Sequence, residues 1–196
     1  MAFPVVWPSS GGKGRLTEIA SFRRSQIPDS RFQEVLADIM GKVARFPIAN
    51  QNLYGHQVEN PEVFVLVADW TSAEEKDVFE PDFQCHHVIL PTSSSTTPEA
   101  GIYVVSRMRV ATDQHKDVAH AFEGYARSLT EGEGYLFFVV GSSREDHEVV
   151  VCLAGFRAQD DVDRLASSPA HSKLKGELDR YVKEGVRYSV KLSKAF

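Results

Sequence analysis

Apolar residues along this chain recur with two spacings, every second position and every third or fourth, and the two kinds of stretch alternate. Residues 53–58 (LYGHQV) read as a strand in which Tyr54, His56 and Val58 share a face, and residues 63–70 (VFVLVADW) are almost wholly apolar. The tetrapeptide Glu59-Asn60-Pro61-Glu62 between them is turn chemistry, so the segment predicts a β-hairpin. Ahead of it, residues 16–24 (LTEIASFRR) read as a short strand. Phe32, Val35, Leu36, Ile39 and Val43 then fall on one helical face. They predict an amphipathic helix from Arg31 to about Arg45, with Ser30 and Gln33 as a capping box and Phe46-Pro47 as the stop. A further helical stretch begins near Ser72. Pro81 interrupts it, and Val88-Ile89-Leu90 suits either a helix end or a short strand.

The same order returns downstream. Residues 102–110 form a strand with Tyr103, Arg107 and Arg109 on one face and Val104, Ser106 and Met108 on the other. Thr112 or Asp113 can cap a helix whose stripe is Val118, Ala121, Phe122, Tyr125 and Leu129. Residues 135–140 and 149–156 flank a Gly-Ser-Ser-Arg-Glu-Asp-His turn and predict a second hairpin. A short acidic helical turn, a Ser-Ser-Pro break and a helix with His171, Leu174, Leu178 and Tyr181 on one stripe follow. Residues 186–192 are a last strand. Each half thus reads β-α-β-β-α-β, the ferredoxin-like order. Helices cover only one sheet face of such a unit, so two units in one chain can cover each other. The expected architecture is an α+β intramolecular dimer of two units, 15–90 and 102–196. A Ser-, Thr- and Pro-rich linker, 91–101, joins them, and an N-terminal arm, 1–14, precedes them.

Composition narrows the function classes. With 42% hydrophobic and 25% charged residues, a chain of 196 residues can bury a real core. A formal charge of -5 argues against a nucleic-acid partner. No apolar run is long enough for a membrane helix, and the N-terminus lacks a basic stretch followed by an apolar one, so a cytoplasmic location is expected. Cys85 and Cys152 build no disulfide framework, and no Cys/His spacing of metal-binding type occurs. Gly11-Gly12-Lys13-Gly14 lacks the spacing of a phosphate loop.

Three features resemble the antibiotic biosynthesis monooxygenase family of the dimeric α+β barrel superfamily. They are the strand over 102–110 with its helix, the hairpin opened by Gly134-Tyr135-Leu136 and closed by 149–156, and the helix start Ser168-Pro169-Ala170-His171. Asp69-Trp70-Thr71-Ser72 and Glu80-Pro81-Asp82-Phe83 resemble the corresponding points in the first half. The resemblance implies two tandem ferredoxin-like units forming an intramolecular dimeric α+β barrel. It also implies oxygenation of an aromatic or polyketide-type small molecule in secondary metabolism, with no cofactor and no metal. Some relatives degrade haem with a helix-borne His and a Trp ten positions before it; here Asp77 and Asp161 stand ten before His87 and His171. A further homodimer is compatible with this architecture but not required by it.

Chemistry of that kind needs a base titrating near neutrality and a donor for a developing oxyanion, set in an apolar slot. His171, turned inward with Leu174 and Leu178, is the first candidate base, against a packed helix-start histidine. His87, four positions after Phe83, is the second. Tyr125, on an inward helical stripe, is a candidate catalytic phenol, although a backbone carbonyl or water could also partner it. Trp70, His56, Tyr103 and Arg107 are candidate substrate contacts, weighed against core packing for Trp70 and a solvated edge for the arginine. His115, His120 and His147 read as exposed. Which half holds the site is left open. So are two other readings: a non-oxidative cyclase, isomerase, dehydratase or decarboxylase using the same groups, and a non-catalytic binding or assembly module.

Overall fold

The computed structural model describes residues 15–24, 28–45, 52–70, 85–90, 100–129 and 134–194. The expected arm, the helical stretch after Ser72 with Glu80-Pro81-Asp82-Phe83, and linker residues 91–99 lie outside them. The elements run β1 (Arg15–Arg23), α1 (Asp29–Arg45), β2 (Asn52–Gln57), β3 (Val63–Trp70) and β4 (Cys85–Leu90) in the first half. The second half holds β5 (Ile102–Val110), a 3-10 turn (Thr112–Gln114), α2 (His115–Ser128), β6 (Tyr135–Ser143), β7 (Val149–Phe156), α3 (Gln159–Ala166), α4 (Pro169–Leu178) and β8 (Val182–Lys194).

The fold is α+β and ferredoxin-like, with helices against a curled antiparallel sheet. The strands close a barrel in the order β1-β3-β2-β8-β5-β7-β6-β4. Every recorded strand pairing is antiparallel. Closure pairs each strand with two neighbours and so covers much of the edge that open sheets must otherwise manage. Pairing across the halves occurs at β2–β8 and β4–β6. At the first seam the backbones come so close that a Cβ on Gly55 would stand 1.8 Å from the carbonyl oxygen of Lys191; only glycine fits there.

Strand alternation sorts the core into two layers. Inside the barrel Ile19, Val65, Val67 and Val88 meet Tyr103, Val105, Phe137, Val151 and Leu153. On the other face of the second half, Val104, Met108, Phe138, Val150 and Cys152 meet Val118, Ala121, Phe122 and Tyr125 of α2, with Val162 and Leu165 of α3 and Leu174 of α4. In the first half Phe22 and Phe64 pack with tilted rings 4.9 Å apart, and Phe32 of α1 meets Phe64 edge-on at 6.4 Å.

Several local expectations are corrected. α1 starts at Asp29, and the Arg31 N–H already donates to the Pro28 carbonyl, so Ser30 lies within the helix instead of capping it. Neither Thr112 nor Asp113 caps α2: both sit in the 3-10 turn, and Gln114 precedes the helix with no side-chain cap bond. Val88-Ile89-Leu90 is strand, because β4 pairs along β1 from Arg15↔Leu90 to Ala20↔Cys85. β8 begins at Val182, four residues before the expected 186. Tyr181 falls in the turn after α4, while Leu178 is its last residue. His115 is half-buried, and desolvation lowers its pKa below the ordinary value despite a hydrogen bond with the Val110 backbone.

Candidate active site

Three elements of the second half bring polar side chains together between helices and sheet. The stripe of α2 points Tyr125 inward beside Phe138, at 5.9 Å between ring centroids. Ser168 caps α4 by accepting from the His171 N–H at 3.1 Å, and Pro169 follows as the first helical residue. That cap fixes His171 in the first turn, its ring edge-on to Tyr125 at 6.0 Å. β8 contributes Arg187. Its register with Ser106, and that of Ser106 with Cys152, puts Arg187, Ser106 and Cys152 in one row on the helix-facing side.

His171 links the other two. Its Nδ1 is 3.5 Å from the Tyr125 hydroxyl and its Nε2 is 3.4 Å from an Arg187 guanidinium nitrogen, both at the long end of hydrogen bonding. A guanidinium only donates, so Nε2 accepts, and the ring proton sits on Nδ1 facing the phenol oxygen. Burial lowers the His171 pKa below its ordinary value, and the charges of Arg187 and Lys175 lower it further. The ring is therefore neutral at neutral pH, as a general base must be.

The surroundings are apolar and aromatic. Phe122 and Phe138 lie 5.4 Å apart beneath Tyr125. Burial pushes the Cys152 thiol and the Tyr135 phenol well above their ordinary values, so neither ionises near neutrality. Arg187 is exposed and His171 half-buried, so the site grades from solvent into the apolar layer.

The other expected site residues lie apart from this cluster. Tyr103 is buried inside the barrel, where its hydroxyl accepts from the Ala100 N–H at 3.2 Å and its ring meets Phe137 at 6.0 Å. Arg107 shares that sheet face but is exposed. Arg109 is tied to Asp146, Glu148 and Glu184 as a strut between strands and hairpin. His56 is exposed at the first hairpin, with Nδ1 2.9 Å from the Pro61 carbonyl and its ring edge-on to Phe64. The helical relation of His87 to Phe83 does not hold: His87 lies in β4, in register with Glu18.

Trp70 is fully buried, and its Nε1 donates to the carboxylate of Glu18 at 2.9 Å. On the opposite sheet face Thr17 donates to Asp69 at 2.6 Å, also buried. Sequence reasoning missed Glu18 and Arg187. Glu18 is an even position of a mixed-polarity strand, and nothing in the residues around it marks it as buried. Alternation groups Arg187 with Ser189 and Lys191, and only the packing of α4 over β8 reveals that this face meets a histidine.

The fold and this cluster first define a class: a ferredoxin-like α+β barrel protein with a polar site set between its helices and its sheet. Within that class, residues 101–176 match the antibiotic biosynthesis monooxygenase family model, a stretch that includes Tyr125 and His171 and ends before Arg187. Among solved structures, the fold is similar to that of an anthrone oxidase-like protein, with a TM-score of 0.70 and 11% identity over 93% of this chain and 94% of that one. A candidate monooxygenase of Fusobacterium nucleatum gives 0.65 and 10% over 91% and 92%. Another from Lactobacillus acidophilus gives 0.64 and 11% over 94% and 95%. At these identities the likeness is one of fold. No curated protein matches the chain. Among the described residues, no helix is long and apolar enough to cross a membrane.

Proposed function

We propose that the chain is a cofactor-independent oxygenase of the antibiotic biosynthesis monooxygenase type, acting on an electron-rich aromatic or polyketide-type molecule. The single observation that carries this reading is the Tyr125–His171–Arg187 contact, two of whose members lie in the stretch matching that family. Arg187 is exposed and able to move toward a substrate oxygen, where its charge stabilises an enolate or phenolate. That movement frees Nε2 of the neutral His171 to take the carbon-bound proton. Tyr125 holds the ring through Nδ1–H, as an orienting third group holds a base in other proton-transfer sites. The aromatic wall excludes water while the carbanion reacts with oxygen.

With anthrone as the probe, the carbanion gives one electron to dioxygen and the two radicals join as a peroxide anion. This takes back the proton held by His171 to become the hydroperoxide, and loss of water leaves a ketone. The sum is CH2 plus O2 giving C=O plus H2O. The test is turnover of anthrone under air and under argon. Product that requires oxygen, with stoichiometric oxygen uptake, supports the reading. Equal conversion of candidate phenols under argon removes the oxygenase and leaves non-oxidative enolate chemistry at the same groups. Binding without turnover leaves a ligand-binding module.

The same proposal treats the chain as two units, 15–90 and 102–196, that descend from one duplicated sequence and form a dimeric barrel within one polypeptide. Register supports it. Leu16↔Trp70 in the first half corresponds to Ile102↔Phe156 in the second, and the seam pairs Gln57↔Val190 and Val88↔Ser143 are then related by the same exchange of halves. On this reading the second unit keeps the site, and the first completes its barrel.

A further inference from the structure

β8 is held on one side by β5 from Val182 to Val190, and on the other side by β2 only from Val190 to Lys194. Among the described residues, no strand lines that second edge from Val182 to Tyr188, the segment that carries Arg187. The ladder is nevertheless continued one step by the first hairpin. The Val58 N–H donates to the Ser189 carbonyl at 2.8 Å. The Ser189 N–H then donates to both carboxylate oxygens of Glu59, at 2.9 and 3.0 Å. A side chain from the first half thus takes a strand's place in the ladder, two residues from Arg187. Bonds from a backbone N–H to a carboxylate are charge-assisted and among the stronger kinds.

We propose that Glu59 is a positioning residue: by clamping β8 at Ser189, it keeps the Arg187 backbone in place, so that the guanidinium rests against His171 in the free protein and reaches substrate from there, and the first half sets the geometry of a site in the second. The inference rests on the proposed function for its catalytic consequence, but not for its structural one. The groups facing His171 are Arg187 from β8, Tyr125 from α2 and Lys175 on its own helix. If the clamp is released, Arg187 is the one that leaves. His171 then loses a nearby positive charge and binds a proton more readily.

The test compares full-length Glu59→Ala and Glu59→Gln with Arg187→Gln. Gln keeps an oxygen that accepts from the Ser189 N–H, so it rescues a clamp even though it lacks the charge. The first readout is the His171 titration followed by imidazole NMR. Glu59→Ala and Arg187→Gln raise it toward the ordinary histidine value, Glu59→Gln leaves it near wild type, and the Ala–Gln double variant shows no further rise. The second is kcat/KM for anthrone, which falls about tenfold in Glu59→Ala through a displaced Arg187 and stays within about twofold in Glu59→Gln. The melting temperature is the control, because a hairpin that only props the fold would lower it without moving the titration. A His171 titration unchanged in Glu59→Ala overturns the positioning role. If the titration moves as stated but Arg187→Gln and His171→Gln turn anthrone over at the wild-type rate, the clamp stands and the catalytic reading falls.

Discussion

At corresponding register the two halves set different chemistry against their helices. Where the first half has Glu18 and Trp70, the second has Val104 and Phe156; where the second has Ser106 and Cys152, the first has Ala20 and Leu66. The first-half pair is sealed: indole N–H meets carboxylate, and both residues are fully buried. In the second half the polar line runs from buried Tyr125 through half-buried His171 to exposed Arg187. A buried carboxylate is expensive to desolvate and must be met by donors, so a sealed pair reads as architecture. A line of donors and acceptors that reaches solvent is accessible to a small molecule.

The largest expected effect breaks the sealed half. Trp70→Ala removes a fully buried indole and with it one donor to Glu18. We expect a loss of about 3 to 5 kcal/mol in urea unfolding, the range for large aromatics in cores. A loss below about 1 kcal/mol would mean that this layer is loosely packed and the pair is not architectural.

In the second half the effect falls on turnover. His171→Gln should lower kcat for anthrone about a hundredfold, as loss of a general base does, with little change in melting temperature. Tyr125→Phe keeps the ring against Phe138 but removes the hydroxyl that orients His171. It should cost about tenfold, since orientation and not the proton acceptor is lost. Ser168→Ala removes the cap that seats His171 and should destabilise by about 1 kcal/mol in thermal unfolding.

How much of this was legible in the sequence differs between the halves for a physical reason. The hairpins, β5 and α2 follow from apolar period and turn residues, which are local. The inward direction of Tyr125 and His171 was legible because both lie on helical stripes, where period reveals direction. Arg187 was not, because alternation along a strand defines two faces without saying which one a helix covers. Glu18 escaped for the same reason, its burial being set by Trp70 on a strand 52 residues away in sequence. The helical offset of His87 to Phe83 gave way to a strand, because pairing with β1 is set by residues distant in sequence.

The smallest predicted effect is a slope. His171 and His115 both have folded-state pKa values below the ordinary 6.5. As pH falls through 6.5, the unfolded chain takes up protons that the folded state refuses, so stability declines with falling pH until the folded-state values are passed. In melting temperature from pH 7.5 to 5, His171→Gln should have a shallower decline than wild type. An identical decline would mean that His171 is not desolvated.

The measurement that bears most directly on the central claim, that the second half carries the chemistry, sets one substitution in each half side by side. His171→Gln and Trp70→Phe, the latter keeping a ring while removing the N–H that reaches Glu18, are compared with wild type in oxygen uptake with anthrone. We predict a loss of about a hundredfold for His171→Gln and near wild-type uptake for Trp70→Phe. Full uptake in His171→Gln, with uptake lost in a folded Trp70→Phe, would contradict the account and move the site to the first half.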